Sequence, residues 1–367
     1  MSNIKNIAAA LNWLKLAQDK TEDGGVSAWF SMINGWQPSY IETTGYIINT
    51  FLDAYTFFNI TEYKTRAIKM ADFLLSMQLS NGAYKLYTPK QKLSDDVKVF
   101  NMGQDLLGMT HIYEVTKEKK YLNSAVAAAN YLVSIQEING SWLKNTYGNT
   151  THTYHSRVAW GLLRVYEISK VKRFKTAAIK NLNWAQKKQL NNGWFDKNEL
   201  PPPNISVPYT HTISYAIEGF LWSGLILNDP TFIKVALRGS VPLLNYYVKN
   251  NFLPGTLDRN WNSTDSYSCL TGDAQISLMW LELYKITKNA KFLRAASKMN
   301  QYLKSKQLLN TPFTAVNGAI AGSDPIYGDL IKNLGYCRLA YINWATKFFI
   351  DALLTEEQIK RNKNEIC

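Results

Sequence analysis

Residues 131–142 read YLVSIQEINGSW, and the same arrangement recurs as FLLSMQLSNGAY at 73–84 and NWAQKKQLNNGWF at 183–195. In each copy a periodic apolar run closes on Gln-x-x-Asn-Gly, and an aromatic residue follows: Gln78 with Gly82, Gln136 with Gly140, Gln189 with Gly193. Asn-Gly just past an apolar run is a helix stop, because glycine takes the left-handed conformation that caps a C-terminus. Weaker copies stand at Gln18–Gly25, Lys249–Gly255 and Gln307–Gly318. The chain is therefore a repeat, and the repeat takes precedence over any count of domains from its 367 residues.

A second marker keeps the same period. Tyr63, Tyr121, Phe174, Phe232 and Phe292 each open a helix after a short polar turn, as in TKEKKYLNSAVAAANYL. Within that helix Leu122, Ala125, Ala129, Leu132 and Val133 share one face, which makes it amphipathic. Between these helices lie others that are apolar nearly all round: ETTGYIINTFLDAY, FNMGQDLLGMTHIY, HSRVAWGLLRVYEI, HTISYAIEGFLWSGLIL, CLTGDAQISLMWLELY and NWATKFFIDALL. A helix without a polar face is buried. Six outer helices alternating with six buried inner ones predict an all-α, (α/α)6 toroid, a double ring formed by residues 1–367 as a single domain.

Connection lengths distinguish the two ends of that ring. Turns from inner to outer helix are short (NITE, TKEK, SKVK, NDP, TKN), whereas the returns at about 83–98, 141–152, 194–209, 255–267 and 309–340 are long. Long loops on a rigid scaffold carry function. They fall at the N-terminal mouth of the inner helices, where the helix dipoles add partial positive charge.

Composition narrows the function classes. The chain is 46% hydrophobic, and no run of apolar residues is long enough to span a bilayer. The first twenty residues lack a secretory pattern, and Cys269, Cys337 and Cys367 form neither a disulfide framework nor a zinc motif. The expectation is a cytoplasmic protein. The net charge of +13 is concentrated on outer helices, with seven basic residues and no acid in both 170–189 and 285–307. The plain reading is a solvated face. The sharper one is peripheral contact with an anionic membrane surface. No nucleic-acid motif accompanies the charge, so nucleic acid is not an expected partner.

The Gln, Gly and aromatic of YLVSIQEINGSW look like the repeat of triterpene cyclases, but that family's Asp-x-Asp-Asp motif is missing and Ser94-Asp95-Asp96 is the nearest relic. Protein prenyltransferase β-subunits share the ring, yet no Asp, Cys and His trio matches their zinc site. The chain more closely resembles the six-hairpin (α/α)6 carbohydrate-active proteins, near members associated with bacterial exopolysaccharide and O-antigen biosynthesis. DGGVSAWF, YIETTGYIINTF, VFNMGQDLLG, TYHSRVAWGLL, THTISYAIEG, CLTGDAQ and NGAIAGSDPIYG carry that resemblance, in order along nearly the whole chain. YGDLIKNLGYCRLAY at 327–341 departs from it. The resemblance implies a carbohydrate-active enzyme of polysaccharide biosynthesis or processing that takes an oligo- or polysaccharide in a central cleft. It assigns no residue a role, so roles come from chemistry.

Sugar sites need flat apolar rings and a few placed polar groups. Trp36, Tyr40, Tyr46, Trp261 and Tyr267 are the expected stacking residues, with Asn101, Gln104, Tyr154, Tyr215, Arg259 and Gln275 as polar partners. Tyr84, Trp142 and Trp194 read instead as packing at repeat junctions. For hydrolysis by two carboxylates, Glu42, Glu218, Asp273 and Asp324 are the acids near inner-helix mouths. The alternative is a uronate lyase or C5 epimerase on an acidic sugar, with His155 or His211 removing a proton and Arg157 neutralising the carboxylate. A third reading is a non-catalytic glycan-binding assembly factor. His152 and His155 are spaced three apart but no acid or cysteine completes a metal set, and no cofactor is expected. His111, mid-helix in GMTHIYE, reads as a hydrogen-bonded core histidine.

Overall fold

The computed structural model describes residues 3–200, 207–263 and 265–364. Cys367 and the middle of the 194–209 connection lie outside the described residues. Six inner helices run over Ile41–Phe58 (α2), Val99–Thr116 (α4), Ser156–Ser169 (α6), Thr210–Leu227 (α8), Leu270–Thr287 (α10) and Asn343–Asn364 (α12). Six outer ones run over Ile4–Asp19 (α1), Thr61–Ser76 (α3), Lys119–Ser134 (α5), Lys172–Gln186 (α7), Pro230–Asn250 (α9) and Ala290–Lys306 (α11). Each inner helix packs on the next, and α12 packs on α2 and α1, so the predicted double ring closes. The apolar-all-round reading holds: α8 is buried at every residue from Thr210 to Leu221.

The inner-to-outer turns share one construction. Five inner helices end on a left-handed residue, Asn59, Lys117, Lys170, Asn228 or Lys288. The predicted aromatic is then the third residue of each following outer helix, and all five are buried. A short turn leaves room for nothing else, so each hairpin is tight at this end.

The Gln-x-x-Asn-Gly segments make the joints between repeats. Gln136 Nε2 donates to Gly140 O at 3.0 Å and to Ala177 O of α7 at 2.9 Å. Gln78 and Gln189 do the same toward Ser124 of α5 and Val235 of α9. Gln307 holds Gly318 O at 2.8 Å and Asn6 O of α1 at 3.0 Å, and this bond ties the last repeat to the first. Each glycine approaches the neighbouring helix so closely that a side chain cannot fit: a Cβ on Gly140, whose φ is +92°, would lie 2.3 Å from Lys180 O. Two expectations change. In the first repeat Gln18 bonds Gly24 O, and Gly24 rather than Gly25 takes positive φ. The Lys249–Gly255 copy is no joint of this kind: Gly255 donates its N–H to Tyr267 O, and the Tyr267 ring occupies the space where a Cβ would stand.

The outer-to-inner connections carry short strands that hydrophobic periodicity missed. β1 (Trp29–Ser31) pairs with β2 (Gly35–Trp36) and with β5 (Ala340–Ile342), all antiparallel. β3 (Ser268–Cys269) pairs with β4 (Ser323–Asp324). The β1–β5 pairing joins the first mouth loop to the last, so the mouth is closed by backbone hydrogen bonds as well as by helix packing.

Each joint glutamine donates two hydrogen bonds to backbone carbonyls, and a hydrogen bond of this kind contributes about 1 kcal/mol. Gln136→Leu should therefore lower unfolding stability by about 2 kcal/mol. Gly140→Ala should cost more, because the carbonyl of Lys180 cannot retreat without bending α7. Urea denaturation checks both, with Lys249→Leu as the control expected to change little.

Candidate active site

At the mouth of the inner helices lies a cavity of about 640 Å³. Six of the residues singled out from the sequence line it: Tyr40, Glu42, Tyr46, Tyr154, His211 and Tyr215. They come from the first turns of α2 and α8 and from the turn preceding α6, which is why inner-helix entries mattered. Rings touch one another in a belt around the wall. The belt runs from Tyr154 to Phe100 (5.1 Å between centroids), Tyr215 (4.8 Å), His211 (4.3 Å) and Tyr336 (5.2 Å). It continues to Trp344 (6.5 Å) and Tyr40 (6.2 Å). Flat rings with polar edges suit the faces and hydroxyls of a pyranose. The Tyr154 hydroxyl is buried and makes no hydrogen bond within the protein, so it is available to a ligand.

Glu42 is the one carboxyl among the described residues that line this cavity. Its Oε2 lies 2.9 Å from the Tyr40 hydroxyl, which lies 3.2 Å from the Tyr147 hydroxyl, which in turn lies 3.1 Å from Asn101 Oδ1. The Tyr40 hydroxyl donates to Glu42 Oε2, and the Tyr147 hydroxyl donates to Asn101 Oδ1. Burial pushes the Glu42 carboxyl up to about 7 against the smaller pull of the Tyr40 hydrogen bond and the Arg157 charge. Glu42 is thus poised as a proton donor near neutral pH.

His211 is the one histidine among the lining residues. Burial pushes its imidazole down to about 3, opposed by the hydrogen bond with Gln275 and reinforced by the Arg157 charge. The ring is therefore neutral at ordinary pH. Its Nδ1 lies 2.6 Å from Gln275 Oε1, behind the cavity wall. Gln275 is buried and supports the histidine instead of facing the cavity, and Gln104 and Asn101 are likewise held behind the wall.

Other expected residues are placed elsewhere, for identifiable reasons. Arg157 and Glu218 form a buried ion pair on the ring axis, with the Arg157 Nε also donating to Gln104 Oε1. They face a second cavity of about 310 Å³ at the opposite end of the ring. Neither lines the aromatic cavity. His155 packs among Trp142, His152 and Tyr154 with both ring nitrogens unbonded, and burial pushes its pKa well down. It is buried outside the cavity lining, and its neighbour Tyr154 takes the cavity position instead.

Asp273 and Asp324 sit together between α10, α11 and the β3–β4 pair. Asp324 accepts from the Tyr302 hydroxyl at 2.6 Å and pairs with Lys306 at 2.8 Å, while burial raises the Asp273 carboxyl well above its usual range. Neither acid lines the cavity. Trp36 packs on Trp13 and Phe30, Trp261 on Trp194, and Tyr267 fills the space at Gly255. Arg259 is exposed and pairs with Asp196 at 3.2 Å. His111 is hydrogen-bonded as expected, to Asn49 Oδ1 at 3.1 Å, but it is half-buried and lines the second cavity instead of the core. Tyr84, Trp142 and Trp194 are buried at the repeat junctions as expected.

Sequence reasoning overlooked Phe100 and Trp344, which look like ordinary first-turn apolar residues of α4 and α12. It also overlooked Asp105, fully buried in α4 with both oxygens unbonded and its carboxyl raised well above the usual range by burial and by Glu42. The signal was present in FNMGQDLLG, an acid inside an apolar helix. Among the described residues no group of three His, Cys, Asp or Glu converges as a metal site, and no helix is long and apolar enough to cross a membrane.

No family model matches the chain, and no curated protein matches it in sequence. Solved structures do match in shape. An unsaturated glucuronyl hydrolase specific for heparin superposes with a TM-score of 0.74 at 15% identity, covering 97% of each chain. Cellobiose 2-epimerase from Bacillus thermoamylovorans B4167 gives 0.72 at 14% identity, over 94% of this chain and 96% of that one. A D-mannose isomerase gives 0.73 at 13% identity over 97% of both. These likenesses show the fold: the six-hairpin (α/α)6 toroid, shared with carbohydrate hydrolases, epimerases and isomerases.

Breaking the axial ion pair from one side leaves a buried charge unpaired, which costs about 3–5 kcal/mol. Arg157→Met alone should therefore destabilise by that amount, whereas Arg157→Met combined with Glu218→Leu should recover most of it. Chemical denaturation of the single and double variants checks this; equal destabilisation in both would contradict the pairing.

Proposed function

We propose that this protein is a saccharide-transforming enzyme that works by general acid–base proton transfer in the aromatic cavity, with His211 as base and Glu42 as acid. The observation that carries the reading is that one carboxyl and one histidine share a wall of aromatic rings, where burial lifts the carboxyl to about 7 and keeps the imidazole neutral. His211 Nε2 removes a proton from a sugar carbon beside a carbonyl group, and the electron pair of that C–H bond moves into an enediol. Glu42 gives its proton to the developing oxyanion. Return of the proton from His211 to the adjacent carbon, with the enediol's other hydroxyl proton passing back to Glu42, yields an isomer; an epimer forms when water protonates the same carbon on its other face, the enediol's hydroxyl proton returns to Glu42 and His211 releases its proton to solvent. The fold neighbours named as an epimerase and an isomerase support this class of chemistry.

The lining of the cavity also bears on the substrate. No lysine or arginine is among the described lining residues, so a neutral saccharide suits it better than an acidic one. Two-carboxylate hydrolysis would need a second acid within about 5–9.5 Å across the sugar, and Glu42 is the one carboxyl in the wall. Hydrolysis retains a foothold through the raised carboxyl of Glu42, which can protonate a leaving oxygen or a double bond, and through the hydrolase among the fold neighbours. The association with bacterial surface polysaccharide rests on the sequence resemblance alone. The exposed Lys172, Arg173 and Lys180 of α7 face outward, which supports a membrane or assembly contact as a separate role of the outer surface.

The test is incubation of the protein with neutral mono- and disaccharides in D₂O, followed by mass spectrometry of the sugars and an assay for new reducing ends. Deuterium on carbon without new reducing ends is the expected result; new reducing ends without deuterium on carbon would establish hydrolysis instead. Sugars unchanged by either measure would leave no enzymatic role for the cavity on these substrates.

The pH dependence has a defined sign. Glu42 must be protonated to act as acid, so kcat/KM should fall about tenfold per pH unit above about 7. His211 must be neutral, and with its pKa pushed down to about 3 it imposes no limb between pH 4 and 7. Glu42→Gln should lower the rate by a factor of about 10²–10⁴ and abolish the alkaline limb. A falling limb at the same position in that variant would assign it to another group.

A further inference from the structure

We infer that Gln275 is a positioning residue that holds His211 as its Nδ1–H tautomer, and that the Arg157–Glu218 pair holds Gln275 in turn. The inference rests on reading His211 as the base of the cavity. Its starting point is a close approach of two helices: a Cβ on Gly272 of α10 would lie 2.8 Å from the His211 backbone nitrogen of α8. Gln275, one turn further along α10, is thereby brought beside the His211 ring, and its Oε1 lies 2.6 Å from Nδ1.

The proton assignment follows from the far end of the chain. Gln104 donates through Nε2 to Phe100 O at 3.1 Å, so its Oε1 is the atom left to accept from Arg157 Nε. Arginine has only donors. Its guanidinium faces Glu218, which is therefore the acceptor of the pair. Glu218 Oε1 also lies 3.2 Å from Gln275 Nε2. A carboxylate accepts only, so the Gln275 amide must turn its NH₂ toward Glu218. Reversing that amide would set its carbonyl oxygen against the carboxylate and its NH₂ against the histidine, which loses one bond and adds repulsion. With NH₂ committed to Glu218, the carbonyl of Gln275 faces His211 and has no proton to give. His211 Nδ1 must donate.

A neutral imidazole carries one proton, so Nε2 is left as a lone pair. Tyr215 and Tyr336 flank the ring with centroids 4.3 and 5.2 Å away, which restricts its plane while the edge remains at the cavity wall. A neutral histidine side chain in water prefers the opposite tautomer, with the proton on Nε2. The buried ion pair thus acts through one glutamine to keep a proton acceptor aimed at the substrate. No residue in this relay other than His211 lines the aromatic cavity.

The test is nitrogen NMR of the full chain labelled with ¹⁵N-histidine, with His211→Gln used to assign the resonance. The wild-type protein should show His211 protonated on Nδ1 alone at pH 7. Gln275→Leu removes the acceptor without leaving an unpaired charge, and in it the Nε2–H form should appear. On an accepted substrate its kcat should fall roughly tenfold with KM little changed. An Nε2–H signal in the wild type, or an unaltered Nδ1–H signal in Gln275→Leu, would overturn the relay. Because the wild-type spectrum decides the first point, the test does not depend on the variant folding. Full turnover in His211→Gln would sink the base role while leaving the tautomer assignment standing, so the two failures are separable.

Discussion

A glutamine side-chain amide that bridges its own turn and the backbone of the next outer helix is the interaction on which the architecture depends. One amide hydrogen secures the glycine turn, the other secures the neighbour, and the glycine lets the two backbones come within contact of each other. Repeated along the chain, this joint sets the angle between successive hairpins. Its last occurrence, Gln307 on α1, closes the ring. The fifth joint lacks the glutamine and fills the gap with the Tyr267 ring, so packing can replace hydrogen bonding at one position without opening the circle.

Once the ring is closed, its axis has to be filled. Short inner-to-outer turns and long outer-to-inner returns make the two ends unequal. The long returns bring aromatic rings over the inner-helix entries and leave a cavity there, with Glu42 and His211 in the wall. Below that cavity the axis is plugged by Arg157 and Glu218. Such a pair is weak evidence for stability, because removing two charges from water opposes their attraction. Its place beneath His211 gives it a different use: polar groups with fixed donor and acceptor roles, stacked in one direction, determine where the histidine proton resides.

Much of this was legible in the sequence because it is periodic. Gln-x-x-Asn-Gly, the aromatic at the third helical position and the unbroken apolar helices each recur, and a recurring signal survives local noise. The functional end was legible from loop length. Individual roles were less so. His155 and His211 both stand at inner-helix entries, and only the rotation of a 3-10 turn places Tyr154 on the cavity and His155 in the core. Asp273 occupies the same first turn as Glu42, yet α10 faces that turn toward α11 and the β3–β4 pair. Which way a first turn points is decided by packing against neighbours distant in sequence, such as the β1–β5 pairing, and no local pattern encodes it. Asp105 was missed because an acid in an apolar helix was read as part of the helix and not as a buried charge in need of an explanation.

The most direct measurement is the location of a bound sugar: a crystal of the protein soaked with a neutral disaccharide, with the Glu42→Gln variant used to slow turnover. The account predicts a sugar ring stacked within the aromatic belt, with residue 42 and His211 Nε2 both within hydrogen-bond distance of it. A sugar seated only in the charged cavity at the opposite end of the ring, or in the mouth but out of reach of His211, would contradict it.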